Sequence, residues 1–110
     1  MPEFTTFKRW QLKKGCQESE LLDLVREQII PHYQKLSNQV TLALLNIEGT
    51  QSYLALQYWE SREIWEATMQ SDAFKNWFEA YQPILAQWDE LVTFEDSWES
   101  VNLLSKQSSP

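Results

Sequence analysis

A chain of 110 residues, 43% hydrophobic and 14% aromatic with six Trp, is expected to form one domain with a modest core. Its formal net charge of −7 argues against nucleic acid and anionic membrane surfaces as partners, since both would repel it. Cys16 is the sole cysteine, which excludes an internal disulfide and a cysteine-built metal cluster. No apolar run approaches the ~20 residues of a membrane span. The N-terminus carries Glu3, Lys8 and Arg9 rather than the apolar block of a signal peptide, so a reduced, cytoplasmic protein is expected. So many aromatic side chains in one small domain need an outlet, either a partner subunit or a ligand pocket.

Residues 4–13 mix Thr, Phe and Trp as a strand does and stop at Lys14-Gly15. Residues 19–36 carry Leu22, Val25, Ile29, Tyr33 and Leu36 at helical spacing, with Leu21 beside the stripe and Glu18, Glu20 and Asp23 near the positive end of the helix dipole. Pro31 interrupts this helix, removing the amide that would bond Glu27, so a kink or short break is expected. His32 and Tyr33 follow the break. Residues 39–47 form a second strand, apolar on both faces: Val40, Leu42 and Leu44 on one, Ala43, Leu45 and Ile47 on the other. A strand of that kind is covered on both sides. Residues 48–51 supply a hairpin turn with Gly49, and residues 52–59 return as a third strand. There Tyr53, Ala55, Gln57 and Trp59 share one face, and Leu54, Leu56 and Tyr58 the other.

Ser61 is placed to cap a short helix to about residue 70, and Ser71 to cap a long one to about residue 91. In the long helix Phe74, Trp77, Phe78, Tyr81, Leu85 and Trp88 recur every three or four residues, with Pro83 expected to bend the helix near Glu79. Residues 92–98 alternate as a fourth strand, with Val92, Phe94 and Trp98 on one side and Thr93, Glu95, Ser97 and Glu99 on the other. Residues 101–104 extend that strand or form an arm. Residues 106–110 are polar and expected to be a disordered tail after a single domain spanning residues 1–105. The order β-α-β-β-α-α-β predicts an α+β, ferredoxin-like subunit: a four-stranded antiparallel sheet with helices on one face. The bare face and the two-sided second strand both ask for a second body, and a homodimer packed sheet to sheet answers both.

Trp59-Glu60-Ser61, then Ser71-Asp72-Ala73-Phe74-Lys75 and an amphipathic helix before a last strand, with Lys14-Gly15 after strand one, resemble the antibiotic-biosynthesis-monooxygenase-like family of dimeric α/β barrels. The resemblance covers about residues 4 to 104. The family it resembles includes quinone-forming oxygenases, haem-degrading enzymes, stress proteins and many members of unknown role. In the haem-degrading branch the strand-one Asn, the Trp of the first short helix and the iron-ligating His fall at Lys8, Thr68 and Phe78 of this sequence, so haem degradation is not expected. In the cofactor-free branch, aromatic and polar groups hold a phenolic substrate and stabilise its anion. Trp59 matches that family's strand-end Trp, and Trp65 falls near a position that can carry Tyr.

The resulting candidates are Gln57 and His32 for catalysis and Trp59, Tyr53, Trp65, Phe78 and Tyr33 for contact with an apolar or aromatic small molecule. Each has a plainer reading. Trp59 and Tyr33 also fit a core, and the stripe from Phe74 to Trp88 also fits packing on the sheet. His32 is singled out as the one side chain that titrates near neutrality without a shift. Gln57→Leu is expected to leave the fold intact. Glu60, Glu63, Glu66, Glu95 and Glu99 lack metal-site spacing or histidine company, and no cofactor or metal is implied. With only Gly15 and Gly49 there is no phosphate loop and no dinucleotide fingerprint. Lys8 and Arg9 must point to opposite faces, and which one faces a pocket is left open. The alternative to an enzyme is a ligand-binding or structural dimer of the same fold.

Overall fold

The computed structural model describes residues 3–103. The polar tail and residue 104 lie outside the described residues. Strands β1 (Phe4–Leu12), β2 (Val40–Asn46), β3 (Ser52–Trp59) and β4 (Val92–Val101) form one antiparallel sheet in the order β2-β3-β1-β4. Helices α1 (Glu18–Leu24), α2 (Ile30–Leu36), α3 (Arg62–Met69) and α4 (Asp72–Leu91) supply the helical layer. This is the expected α+β ferredoxin-like arrangement. No helix among the described residues is long and apolar enough to cross a membrane.

Pro31 does not break the first helix. The turn before it, Val25–Ile29, widens into a π-helix in which the Ile30 N–H bonds the Val25 carbonyl five residues back. Pro31 can neither donate to Glu27 nor tolerate its carbonyl at ordinary spacing, and a wider turn relieves that conflict while α1 and α2 remain joined. The extra residue also moves the apolar stripe. Leu21 and Leu24 are buried, whereas Leu22, placed on the stripe by simple periodicity, is exposed.

Both glycines lie at the third position of a β-turn with positive φ. Gly15 (φ 89°) sits in the turn closed by Cys16 N–H to the Lys13 carbonyl. Gly49 (φ 81°) sits in the one closed by Thr50 N–H to the Ile47 carbonyl. That conformation costs glycine nothing. The two predicted caps are present: Ser61 Oγ accepts from Ile64 N–H and Ser71 Oγ from Phe74 N–H, each at 3.1 Å. The long helix runs through Pro83 without interruption.

Strand β4 departs from simple alternation. Its pairing with β1 shifts between Arg9 and Trp10, where Arg9 faces Asp96 and Trp10 faces Phe94, leaving Glu95 as the extra residue of a bulge. A bulge reverses the facing of everything beyond it. Phe94 therefore stays with Trp10 on the helix side, but Trp98 turns to the open face, where it stacks on Phe7 at 5.4 Å. Ser97 and Glu99 turn to the helix side. The expected grouping of Trp98 with Val92 and Phe94 is corrected accordingly.

The main core lies beneath α1, α2 and α4, around Leu21, Leu24, Tyr53, Trp77, Trp88 and Val92. At the other end of the sheet Phe4, Trp59 and Ser61 are fully buried. Because the Ser61 cap is both buried and the start of α3, Ser61→Ala should cost about 1 kcal/mol. A chemical-denaturation midpoint identical to that of the wild type would contradict this.

Candidate functional site

Pairing register arranges the helix-facing residues of the sheet in rows that run across the strands. One end row is Val40, Trp59, Phe4 and Val101. The other is Asn46, Tyr53, Trp10 and Phe94. Between them lie Leu42, Gln57, Thr6 and Glu99, then Leu44, Ala55, Lys8 and Ser97. The end rows carry large aromatics and the middle rows mostly short or polar side chains. Short side chains on the sheet cannot reach the helices, so a cavity of about 480 Å³ remains over the middle rows. Its far wall is the aromatic stripe of α4, with Phe74, Trp77, Phe78 and Tyr81, together with Trp65 and Met69 of α3. Val25, Ile29 and Tyr33 close it from the first helix. Its exposed lining residues, Lys8, Phe78, Ser97 and Glu99, mark the mouth on the β4 side.

One hydrogen-bond chain enters this space. Trp59 Nε1–H donates to Gln57 Oε1 at 3.0 Å, and Gln57 Nε2–H donates to the Tyr33 hydroxyl oxygen at 3.0 Å. An indole nitrogen can only donate, so the amide orientation is fixed by Trp59. Gln57 must then present N–H to Tyr33, and the Tyr33 oxygen becomes an acceptor. The Tyr33 proton is left unused by any described residue, on a side chain that lines the cavity. Burial pushes the Tyr33 pKa up to about 12, against the opposing pull of the Gln57 hydrogen bond. Tyr33 is therefore a proton-bearing donor at neutral pH and not a base. Tyr81, also in the lining, is raised further, first by burial, then by the nearby Tyr33 and Asp89. Trp10 buries its indole N–H without a partner among the described residues. An unmet donor of that kind costs about 1–3 kcal/mol until an acceptor reaches it.

Of the residues singled out in the sequence, Gln57, Tyr33, Trp65 and Phe78 line the cavity. Trp59 does not. It is 1% exposed and acts behind the lining by holding Gln57. Tyr53 is buried in the end row and donates to Glu18 Oε2 at 2.6 Å, with a pKa pushed up to about 12 by burial and then by that hydrogen bond and charge. His32 also lies outside the lining. Its Nε2 meets the Trp77 carbonyl at 3.0 Å, so that nitrogen carries the proton, and Trp77 Nε1–H returns a bond to the His32 carbonyl at 2.7 Å. The ring stacks on Trp77 and Tyr81 at 4.8 and 5.4 Å. His32 thus fastens α2 to α4. Thr6, Tyr81 and Ser97 also belong to the lining and were not among the sequence candidates. Lys8, not Arg9, faces inward, while Arg9 meets Glu95 at 3.5 Å on the open face.

The sequence matches no protein-family profile and no curated protein. Solved structures do match over nearly the whole chain. The cofactor-independent oxygenase SnoaB of Streptomyces nogalater superposes with a TM-score of 0.64 at 14% identity, over 100% of this chain and 99% of that one. HapK of Hahella chejuensis gives 0.63 at 13% identity, over 97% and 99%. A candidate antibiotic biosynthesis monooxygenase of Chloroflexus aurantiacus gives 0.59 at 11% identity, over 97% and 99%. The chain has the fold of the antibiotic biosynthesis monooxygenases. At these identities the likeness establishes the fold and does not transfer an activity. Within this monooxygenase-like fold, the polar groups beside Trp59 converge on an open cavity, and Trp98 is on the far side of the sheet rather than filling it.

His32→Phe keeps the ring stack and the backbone carbonyl that Trp77 uses, and removes only the Nε2 bond. It should lower stability by about 1 kcal/mol and leave ligand affinity unchanged. Thermal unfolding and fluorescence titration measure the two separately, and a loss of affinity at unchanged stability would place His32 in the site after all.

Proposed function

We propose that the cavity binds an aromatic small molecule bearing an oxygen substituent, and that the protein oxidises it as a cofactor-independent monooxygenase. The observation that carries this reading is the chain from Trp59 through Gln57, which leaves the Tyr33 O–H with no acceptor among the described residues, beside an aromatic-walled cavity. A phenol or enol bound there would set its ring against the α4 wall and its oxygen on Tyr33. As the substrate gives its proton to solvent water at the cavity mouth, the Tyr33 hydrogen bond and the free N–H of Gln57 strengthen toward the developing anion. An electron-rich anion of this kind reduces dioxygen itself. The protein contributes orientation, a dry aromatic environment and donors fixed before the charge appears.

The hydrogen-bond chain revises the choice of variant. Gln57→Leu would leave the buried Trp59 N–H without an acceptor, at about 1–3 kcal/mol, mixing stability with function. Tyr33→Phe leaves the Trp59–Gln57 bond intact and removes only the donor. It should reduce the rate on the order of 10²-fold, as loss of one oxyanion donor does. Gln57→Glu tests direction. One carboxylate oxygen still accepts from Trp59, but the other now accepts the Tyr33 proton and turns it from the cavity, so a comparable loss is expected. Oxygen uptake with a panel of hydroquinones and polyphenols measures all three proteins. Equal uptake by wild type and Tyr33→Phe would contradict the role of Tyr33. Binding without uptake would favour a non-enzymatic ligand-binding protein.

We further propose a homodimer through the open face of the sheet, in the reducing cytoplasm where Cys16 stays free. Leu45 and Tyr58 are 48% and 43% exposed on that face, and Phe7 and Trp98 stack beside them. If the pair is obligate, its interface should exceed roughly 2,000 Å² in total. Sedimentation at micromolar concentration should then give twice the chain mass, and a single species at the chain mass would refute the dimer.

A further inference from the structure

We infer that the ligand of this cavity is an acid, and that Lys8 selects it by pairing with a carboxylate at the outer end of the aromatic ring system. This rests on the reading of the cavity as a ligand site and adds the chemical class of its occupant.

The position of Lys8 is the first reason. β1 is a central strand, paired on one side with β3 and on the other with β4. A lysine on an edge strand is an ordinary device against aggregation, but a central strand has no edge to protect. On the helix-covered face of such a strand an apolar residue is expected; Phe4, Trp10 and Leu12 of the same parity follow that rule, and Thr6 departs from it only with a short uncharged side chain. Lys8 breaks it. Its direct neighbours across the ladder are Ala55 and Ser97, both too short to cover it.

The second reason is its lack of a partner. Arg9, one residue on, is neutralised by Glu95, and Lys13 donates to the Asp89 carbonyl at 2.6 Å. Lys8 makes no hydrogen bond or ion pair with any described residue, although Glu99 lines the same mouth. The chain's net charge of −7 does not decide the matter. Surface charges beyond about 8 Å are screened at physiological ionic strength, so the charges at the mouth dominate. Of these, Glu99 lies on the edge strand β4 and is exposed, where a hydrated carboxylate is the usual state. Lys8, also exposed at the mouth, stands on the central strand between Ala55 and Ser97.

Geometry joins this cation to the donor deeper inside. Lys8 and Gln57 are diagonal neighbours across β1 and β3, a separation of about 7–8 Å between backbone positions. A fused aromatic acid has that reach. Its ring would lie along the α4 wall, its carboxylate at Lys8 and its far edge toward Tyr33 and Gln57.

The test uses benzoate, 2-naphthoate and 9-anthroate, each against its neutral carboxamide, with quenching of the cavity tryptophans as the readout. The wild type should bind at least one acid about fivefold more tightly than its amide, the upper end for a partly exposed ion pair. Lys8→Met should erase that preference while leaving amide affinity unchanged, and Lys8→Arg should restore it. Glu99→Gln should strengthen acid binding. Equal binding of acid and amide by the wild type, or a Lys8→Met loss shared by both, overturns the assignment of Lys8 while leaving the cavity as a ligand site. Binding of no probe by the wild type overturns both.

Discussion

The hydrogen bond from Trp59 to Gln57 sets the direction of every polar contact deeper in the cavity. The indole of Trp59 is fully buried and has one proton to place, and Gln57 two residues earlier on the same strand face is where it places it. Leaving that donor unmet would cost about 1–3 kcal/mol, at least as much as an ordinary hydrogen bond contributes net. The amide is therefore locked, and with it the acceptor role of the Tyr33 oxygen. A glutamine free to flip would make Tyr33 a donor to the protein half the time. Locked, it makes Tyr33 a donor to whatever occupies the cavity. A residue that never touches the cavity thus decides its chemistry.

The aromatic packing around this chain explains how the space stays open. Trp77 and Tyr81 lie 4.8 Å apart on α4, with Tyr33 set edge-on against both and His32 stacked over both. Reciprocal bonds between His32 and Trp77 pin α2 to α4. Rings held by several partners at once cannot collapse onto the sheet, so the void over Thr6, Ala55 and Ser97 persists. At one end of the sheet Trp88 of α4 meets Trp10 edge-on, and at the other Trp65 of α3 packs on Phe4, so these aromatics act as spacers. Large side chains at the end rows hold the layers apart, and short ones between leave the gap.

Much of this was legible in the sequence because it depends on local rules. The caps at Ser61 and Ser71, the turn glycines and strand β3 follow from neighbouring residues and fell where expected. The two failures of phase came from single inserted residues. In β4 the apolar positions 92, 94 and 98 keep one parity, so nothing in them announces the bulge at Glu95; only pairing with β1 does. Before Pro31 the proline signalled trouble, but whether a helix breaks or widens depends on the packing of Ile29 and Tyr33 beneath α4. The inward direction of Lys8 could have been read, since it shares parity with Phe4, Trp10 and Leu12. The removal of Tyr53, Trp59 and His32 from the lining could not, because face membership does not say which row of the face is covered.

The two faces of the sheet are not independent. Phe7 and Lys8 are consecutive, and so are their ladder partners Trp98 and Ser97. The Phe7–Trp98 stack on the open face and the Lys8–Ser97 pair at the cavity mouth therefore hang from the same β1–β4 ladder. β4 contributes the mouth, yet almost all of its side chains are exposed, so its main anchor is that ladder. A second subunit packed over Phe7 and Trp98 would clamp β4 against β1 and hold Ser97 and Glu99 in register beside Lys8. Without that cover, the edge strand that forms one lip of the cavity is the element with least to hold it. The proposed assembly on one face and the proposed ligand selection on the other would thus draw on the same two strands, and the apolar pattern of β2 on both its faces fits a sheet covered from both sides.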